Sequence, residues 1–309
     1  MHKLLVKNMK DLSWNNEDCE NGKLCLANAK DCFYKNTALS LKYVNQAIDY
    51  LENSKQCLCD LAQCYYIKAS LFWNKDRNLS GLYFTKSIKT HILGSKRNQY
   101  KTLKFYKFVG VNIEHLDSML NTIRLIHPSG FNDPMDCPIT ANPNNGIPDI
   151  NLFNGLRVGC FGVVNDEPYY LNASKWSYYG DFHKGICLEY NFADLNFDND
   201  YALMDKVEYK EEYIANRGIV GSGLLTKSIA YVHENEWRII WYDDSLTSGE
   251  YKYLEINPSM INAIYLGYKC SEDIKQRIIH FKKENPHISL YQVQPSEENF
   301  YKLSANELS

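Results

Sequence analysis

The sequence predicts an α+β protein, in which a helical N-terminal part precedes a part built on a mixed or antiparallel sheet. Apolar residues recur with helical spacing over residues 1–93. After residue 101, short runs rich in β-branched and aromatic residues replace that spacing. Few helical segments fall between these runs, which argues against a doubly wound parallel sheet. We therefore expect a helical-hairpin domain at 1–93 and an α+β domain at 101–309, separated by the polar segment Gly94–Lys101.

The composition argues against several classes of function. The chain of 309 residues carries a formal net charge of −3, and its basic and acidic residues are well mixed. No global field therefore favours binding to duplex nucleic acid or to an anionic membrane. Residues 1–16 are too polar for a signal peptide, and no apolar run approaches the roughly 18 residues that span a membrane. We expect a cytoplasmic protein that contacts no membrane and whose ten cysteines are free thiols.

The helical part contains two units of similar design. Small and apolar residues of the second predicted helix recur in the fourth at an offset of forty residues. The matching sets are Ser40, Val44, Ala47 and Ile48, and Ser80, Phe84, Ser87 and Ile88. In this feature the chain is similar to tetratricopeptide-type repeats, although its unit is longer and lacks their Gly and Pro markers. The resemblance implies a surface that binds a protein partner or senses a signal, and a structural cap is the alternative. Two units are too few to fold alone, so we expect them to pack on the sheet.

Beyond the boundary, the β-type runs are interrupted by two helical segments. We predict helices at Asn112–Thr122 and Ser271–Asn285, the second capped by Ser271 and ended by Pro286. The segment Pro138–Asn151 is rich in Asn, Pro and Gly and is predicted to be a loop. The predicted strands are Leu103–Val109, Ile123–His127, Leu156–Val164, Ile186–Tyr190, Lys206–Tyr209, Glu236–Tyr242, Tyr253–Ile256, Ile261–Leu266 and Ile288–Val293.

The segment WSYYGDFHKGICLEY, residues 176–190, is the first candidate for a functional site. It leads aromatic and charged residues directly into an apolar strand, and loops delivered by a rigid strand often bind ligands. A strand that only fills a core does not require aromatic and charged residues immediately before its first residue. The alternative is a tyrosine-rich surface turn. The candidate residues are Trp176, Ser177, Tyr179, Asp181 and His183.

A second candidate is the turn after the predicted strand Ile123–His127. Asn132 caps its own backbone in such a turn, and Pro134 drives Asp133 toward extended geometry. Turn formation alone explains Asn132 and Pro134. Asp136, two residues beyond the proline, adds an acidic group that the turn does not require. We therefore count Asn132 and Asp133 as supporting residues of a site.

The third candidate is the segment KSIAYVHENEWR, residues 227–238. On an extended strand, Glu234 and Glu236 would share one side with their Cα atoms about 7 Å apart. Arg238 would return to the same side. One interpretation is a surface ladder in which Glu236 pairs with Arg238 and contributes little energy. The other is a paired-carboxylate site, in which one Glu stabilises positive charge on a sugar and the other acts on an acceptor.

These segments resemble, in the same order, a widespread bacterial family of uncharacterised domains. The motifs are LKFYKF at 103–108, FNDPMD at 131–136, WSYYGDFHKGICLEY at 176–190, HENEWR at 233–238 and I-x-x-IYLG at 261–267. The resemblance covers roughly residues 101–295, and it is specific because several motifs occur in order. It implies a shared fold for this part and little about its chemistry.

The chain also resembles ADP-ribosyltransferases. These enzymes carry three motifs on strands: an Arg or His, then a Ser or Tyr beside aromatic residues, then a Glu, often as E-x-E. The matching positions here are Tyr106-Lys107, Ser177-Tyr178-Tyr179 and Glu234-x-Glu236. The resemblance implies an ADP-ribosyltransferase-like sheet and NAD as a substrate. Lys107 departs from the family pattern, because a lysine supplies charge without the bidentate fork of an arginine.

The same resemblance implies roles for individual residues. Glu236 would stabilise the oxocarbenium-like ribose, and Glu234 would act toward the acceptor. Tyr179 or Trp176 would hold the cationic nicotinamide ring. The pyrophosphate would be neutralised by one of three cations, which are Lys107, Lys227 and Arg238.

Two other functions also fit the sequence. Asp149, followed by Glu208 and Lys210, supplies the residue types of a metal-dependent nuclease, although nearly sixty residues separate the halves. The second is a non-catalytic module, in which the helices bind a partner and the cleft binds a small ligand. If the chain is an enzyme, a sensing array beside a catalytic domain is typical of a toxin or phage-defence effector. Its acceptor would be an unknown macromolecule, and nucleic acid would enter only in that role.

Overall fold

A computed structural model gives the protein four N-terminal α-helices followed by an eight-stranded sheet, counted over the residues it describes. These are residues 16–95, 99–131, 136, 154–164, 168–197, 201–212, 223–247, 249–299 and 302–308. Within those ranges no helix is both long enough and apolar enough to cross a membrane. The first four helices are α1 (Asn16–Cys32), α2 (Thr37–Leu51), α3 (Leu58–Phe72) and α4 (Arg77–Gly94).

The four helices form two hairpins of the same construction. Asn36 and Asp76 cap α2 and α4, each accepting a 3.0 Å hydrogen bond from the main-chain N–H three residues on. The hydroxyls of Ser40 and Ser80 donate to a carbonyl of the preceding helix, at 2.8 and 2.9 Å. Both pairs are forty residues apart, so the predicted repetition is confirmed. A small residue is needed at these two positions because each helix lies close against the preceding helix.

The second hairpin packs directly on the sheet. Phe84 and Ile88 of α4 are fully buried and share one core with Leu156, Ile240 and Tyr242 of the sheet. The first hairpin and the outer side of α3 surround a different core. The prediction that the helices pack on the sheet is therefore confirmed, and the second hairpin makes this contact.

The expectation of free thiols is wrong for Cys19 and Cys57. They form a disulfide that joins α1 to the turn before α3, with their Cα atoms 6.3 Å apart, a common spacing for such a bond. Helical periodicity could not reveal this pair, because the residues lie in different elements, 38 positions apart. The other described cysteines are free thiols, and they are Cys25, Cys32, Cys59, Cys64, Cys160, Cys187 and Cys270.

After the helical part, twelve strands follow over the described residues, with three α-helices among them. The helices are α5 (Leu116–Asn121), α6 (Ala173–Tyr178) and α7 (Glu272–Glu284). The strands are β1 (Lys104–Val109), β2 (Thr122–Leu125), β3 (Leu156–Val163), β4 (Ile186–Asn191), β5 (Ala202–Lys206), β6 (Glu208–Lys210), β7 (Thr226–Ser228), β8 (Glu236–Tyr242), β9 (Lys252–Glu255), β10 (Ile261–Leu266), β11 (Ser289–Pro295) and β12 (Leu303–Glu307).

Eight of these described strands form one sheet in the order β12–β11–β10–β4–β1–β3–β8–β5. Its neighbouring strands are antiparallel except β10 and β11, which are parallel and connected through α7. A parallel pair needs such a crossover, whereas antiparallel neighbours do not. The predicted α+β class with a largely antiparallel sheet is confirmed at this level.

Both faces of the sheet are covered, and the second face positions the site. One face packs against α5, α7 and the β2–β9 pair in a large apolar core. The opposite face carries the second helical hairpin near β8 and β5. The same face carries a tyrosine-rich cluster near β10 and β11. Buried charged side chains lie between the two groups.

Three local differences from the predicted elements affect the site. Glu234 ends a 3₁₀ helix, Ile229–Glu234, so only Glu236 of the predicted pair lies on β8. Trp176 belongs to α6 rather than to an irregular lead-in. The predicted strand Lys206–Tyr209 divides between β5 and β6, because β5 pairs with β8 and β6 pairs with β7. The predicted loop Pro138–Asn151 lies outside the described residues.

Candidate functional site

A cavity of about 150 Å³ opens on this face of the sheet, beside the tyrosine-rich cluster. Side chains from β1, β3, α6, β7 and β8 meet there, although these elements are far apart in sequence. Two kinds of group dominate the described wall, aromatic rings and buried charges. The lining residues are Tyr106, Lys107, Phe108, Phe131, Asp136, Cys160, Phe161, Gly162, Tyr169, Lys175, Tyr179, Lys227, Glu234 and Glu236.

The cavity gathers residues that the sequence marked in three separate segments. Arg238, also a sequence candidate, is fully buried directly behind Glu236, with which it pairs at 2.7 Å. The candidates that line the cavity are Tyr106, Lys107, Tyr179, Lys227, Glu234 and Glu236.

A left-handed residue brings the two glutamates together. Asn235, between them, has φ 42° and ψ 55°, a conformation that asparagine adopts more readily than most residues. Its side-chain amide donates to the carbonyl of Val163 at 2.9 Å, which holds the turn against β3. The turn at Asn235 therefore places Glu234 beside Glu236, and the two residues do not lie on one continuous strand. The prediction that both glutamates lie on one strand is wrong for Glu234.

Lys227 and Arg238 join three carboxylates in one buried network in the described part of the chain. Lys227 Nζ lies 2.6 Å from Glu234, 3.1 Å from Asp136 and 3.4 Å from Glu236. Arg238 binds Asp136 at 2.7 and 2.8 Å and Glu236 at 2.7 Å. Each of the five residues is less than one-tenth exposed. The surface-ladder interpretation is therefore wrong, since the pairing of Glu236 with Arg238 is buried and belongs to a larger network.

The network sets the charge states of Glu236 and Lys227. Burial alone would raise the pKa of Glu236, but Arg238 and Lys227 outweigh burial and lower that pKa to about 2. Burial also opposes the charge of Lys227, yet the three surrounding carboxylates raise its pKa. At neutral pH the site therefore presents an ionised Glu236 beside a protonated Lys227.

Acidification is expected to weaken the fold through Glu236. The ordinary pKa of the carboxyl is 4.5 and the folded value is about 2, so the unfolded chain takes up the proton first as the pH falls. The free energy of unfolding then decreases between about pH 5 and pH 2, by on the order of 3 kcal/mol from this group. Urea unfolding across this range measures the decrease. The free energy of unfolding is expected to fall less steeply with pH in Glu236→Gln than in the wild type. An equally steep fall in that folded variant would contradict this assignment.

Aromatic rings form the second part of the wall. Tyr179 is 38 % exposed, and its hydroxyl donates to Glu234 Oε1 at 2.9 Å. The ring of Tyr169 lies over Gly162, where an added Cβ would come within 1.8 Å of it. The Tyr169 hydroxyl donates to the main-chain carbonyl of Glu234 at 3.2 Å. Glycine at 162 is therefore required for this ring to reach the 3₁₀ helix.

Strand β1 contributes a tyrosine and a lysine to the cavity. Lys107 Nζ donates to the carbonyl of Cys160 at 3.0 Å and lies 5.0 Å from the centroid of the Phe161 ring. Burial lowers the pKa of Lys107. Tyr106 is almost fully buried, and its hydroxyl donates to Glu189 at 3.0 Å. The amine of Lys107 thus bonds a main-chain oxygen, whereas the amine of Lys227 bonds carboxylates.

Four residues of the first candidate segment lie outside the cavity wall. Trp176 is fully buried, with its ring edge against Phe108 at 4.9 Å and its face stacked on His183 at 6.1 Å. It cannot hold a ligand ring, and that expectation is corrected. The Ser177 hydroxyl donates within α6 at 3.1 Å. Asp181 and His183 belong to a left-handed turn, with φ of 48° and 69°, and neither side chain lines the cavity.

Several residues of the wall were not predicted from the sequence, and two of them, Lys175 and Tyr169, contact Glu234. Lys175 is 4 % exposed, 3.6 Å from Glu234, and its Nζ lies 5.3 and 5.5 Å from the ring centroids of Tyr169 and Tyr179. Burial lowers the pKa of Lys175, with Glu234 opposing that effect. Lys175 immediately precedes the first candidate segment, so its position was a usable signal. Tyr169 lies in a stretch without a recognisable pattern.

The remaining candidates are distributed as follows. Asn132 and Asp133 lie outside the described residues, as does Asp149 of the nuclease alternative. Glu208 and Lys210 pair with each other at 3.2 Å on a partly exposed strand, and neither residue lines the cavity. Over the described residues, no group of three or more His, Cys, Asp or Glu side chains is arranged to hold a metal ion.

Comparison with known proteins adds no relative. No family model matches the chain, and neither a curated protein nor a solved structure is significantly similar to it. The likenesses drawn from sequence motifs therefore stay predictions. The function has to be argued from the residues around the cavity.

Proposed function

We propose that the cavity binds the nicotinamide end of NAD and that the protein is an ADP-ribosyltransferase-like enzyme, with the corresponding type of sheet. The observation that carries this proposal is the convergence of Tyr106, Tyr179, Glu234 and Glu236 on one cavity. These residues come from three segments between positions 106 and 236. Acidic groups facing aromatic rings suit a cationic ring attached to a sugar.

The chemistry follows from the two glutamates. Breaking the bond between the ribose C1′ and the nicotinamide nitrogen sends the electron pair to nicotinamide and leaves an oxocarbenium-like ribose. Glu236, ionised because its pKa is about 2, stabilises that positive charge. An acceptor then bonds to C1′, and Glu234 receives the proton that the acceptor loses. Tyr179, which donates to Glu234 at 2.9 Å, keeps this carboxylate beside the reacting sugar.

The size and charge of the cavity suggest how NAD would lie. A volume of about 150 Å³ is less than the roughly 300–1,000 Å³ of pockets for drug-sized ligands. The nicotinamide ring would enter the cavity against Tyr179, and the rest of the dinucleotide would lie outside. Lys227 and Arg238 are bound to carboxylates, whereas Lys107 bonds a main-chain oxygen. Lys107 is therefore the cation we assign to the pyrophosphate, and its amine would have to leave the Cys160 carbonyl to reach it.

Nicotinamide release from NAD tests this proposal. The wild-type protein is expected to release nicotinamide, and Glu236→Gln is expected to slow release by roughly two to three orders of magnitude, typical for loss of an electrostatic transition-state contact. Glu208→Gln is the matched control, because it neutralises a carboxylate outside the cavity and is expected to release nicotinamide at the wild-type rate. Release that is equally fast in Glu236→Gln would contradict the assignment. Metal-dependent nucleic acid cleavage lost in Glu208→Ala would instead favour the nuclease alternative.

A non-catalytic module remains the second candidate, because the carboxylates are already paired with cations. Paired charges suit a fixed binding surface as well as a catalytic one. Such a module would bind NAD or a related cation without releasing nicotinamide, and Glu236→Gln would change affinity alone. Calorimetric titration with NAD, run beside the release assay, distinguishes the two functions.

We also propose that the first hairpin binds a protein partner, as expected of a toxin or defence effector. Its core, around Leu26, Val44 and Leu51, is separate from the core shared by the second hairpin and the sheet. Part of its surface is therefore available without disturbing the cavity. A pull-down with the full chain tests this role, using Leu24→Asp on the exposed side of α1 as the variant expected to lose the partner. Retention of every partner by that folded variant would count against this surface.

A further inference from the structure

Glu189, on β4, is a buried carboxylate to which the proposed reaction gives no role. It is 4 % exposed, yet four donors surround it. The hydroxyls of Tyr106 and Tyr265 both donate to it at 3.0 Å. Lys104 Nζ lies 2.8 Å away, and the side-chain amide of Asn262 lies 3.4 Å away. Burial opposes its charge, but Lys104 and the tyrosines outweigh burial and lower its pKa. Glu189 is therefore a carboxylate that accepts hydrogen bonds at neutral pH.

Strand register connects Glu189 to the cavity. Glu189 lies opposite Tyr106, and Tyr106 lies opposite Gly162. Gly162 in turn lies opposite Glu236. The four positions form one row across neighbouring strands, so they share a face of the sheet. The missing side chain at Gly162 leaves the space that the ring of Tyr169 fills.

Tyr106 carries the connection from Glu189 into the wall of the cavity. Its ring stacks on Tyr169, with centroids 5.7 Å apart and planes inclined by 30°. Tyr169 then donates to the main-chain carbonyl of Glu234. Both rings line the cavity. The ring of Tyr106 therefore lies against the ring that contacts the glutamate turn.

We propose that Glu189 is a positioning residue that fixes this aromatic wall by holding the hydroxyl of Tyr106. A purely stabilising carboxylate is the alternative, because any loss at a buried, hydrogen-bonded Glu weakens the fold. Stability measurements alone cannot separate the two roles. Tyr265 offers the matched control, since it donates to the same oxygen of Glu189 at the same distance but does not line the cavity.

Fluorine NMR of protein labelled with 3-fluorotyrosine tests the proposal without any ligand. The resonance of Tyr169, assigned with Tyr169→Phe, is expected to move in Tyr106→Phe and in Glu189→Gln. In the double variant it is expected to move no further than in either single variant, because both changes break the same hydrogen bond. Tyr265→Phe is expected to leave it in place.

The proposal is overturned if the Tyr169 resonance stays in place in Tyr106→Phe, or if Tyr265→Phe moves it as far. Should Glu189→Gln fail to fold, Tyr106→Phe decides alone, because it removes the same hydrogen bond and leaves Glu189 with its other donors.

A second readout rests on the proposed function. Both Tyr106→Phe and Glu189→Gln are expected to raise the KM for NAD by about tenfold while kcat changes little, as for a lost contact that holds the ring equally in ground and transition states. Tyr265→Phe is expected to keep the wild-type KM. If the wild-type protein does not act on NAD but the Tyr169 resonance moves as expected, the proposed function fails and the positioning role stands. Unchanged KM values with an unmoved resonance would overturn the positioning role alone.

Discussion

Replacing Arg238 with alanine is expected to lower the free energy of unfolding by about 3–5 kcal/mol, the usual cost of removing one partner from a buried ion pair. Arg238 is fully buried and binds Asp136, Glu236 and the carbonyl of Leu224. Alanine would leave Asp136 and Glu236 in the interior with Lys227, which also pairs with Glu234, as their shared ion-pair partner. Urea unfolding at neutral pH measures the loss.

Arg277→Ala is the control for this change. Arg277 pairs with Asp117, but the two side chains are 53 % and 64 % exposed. An exposed ion pair contributes roughly 0–1 kcal/mol, because water and salt screen it. The two variants remove the same side chain from different surroundings. A loss below about 1 kcal/mol in Arg238→Ala would mean that the buried network does not hold the site together.

Replacing Phe84 with alanine is expected to cost about 3–5 kcal/mol and to weaken the helices and the sheet together. Phe84 is fully buried on α4, with its ring edge-on to Tyr66 and Trp73. The same core includes Leu156 and Ile240 of the sheet. The lost ring therefore leaves a cavity that both parts border.

Two spectroscopic probes test whether that core is shared. Far-ultraviolet circular dichroism follows mainly the helices, and fluorine NMR of 5-fluorotryptophan-labelled protein follows Trp237 and Trp241 of the sheet separately from Trp73. In Phe84→Ala the midpoints of both transitions are expected to fall by the same amount. Leu82→Ala changes a position 53 % exposed on the same helix. It is expected to change the free energy of unfolding that either probe reports by less than about 0.5 kcal/mol. A fall confined to the far-ultraviolet signal would contradict a shared core.

The sequence was a good guide to elements whose side chains alternate or recur regularly. The strands Glu236–Tyr242 and Ile261–Leu266 were predicted with the bounds that the structure gives them. Their apolar and aromatic residues suit a buried strand without help from distant contacts. Strand β12 was missed, because Leu303–Glu307 is mostly polar and pairs only through β11. Local composition carries no information about such an edge strand.

The candidate site was predicted in outline and missed in geometry. Glu234 and Glu236 were expected together on a strand, and a left-handed Asn235 brings them together by another route. Trp176 was expected to face a ligand, but a tryptophan in an aromatic segment can equally fill a core, and burial decides between the two. Glu189 was missed because it lies inside an apolar strand, where its donors come from neighbouring strands. These features depend on tertiary contacts that one sequence does not display.

A crystal structure of Glu236→Gln with NAD tests the central claim most directly, because the variant is expected to bind the dinucleotide and cleave it slowly. The nicotinamide ring is expected in the cavity against Tyr179, with the ribose beside positions 234 and 236. The pyrophosphate is expected within reach of Lys107. NAD bound elsewhere on the protein, or a cavity that stays empty at saturating NAD, would contradict the claim.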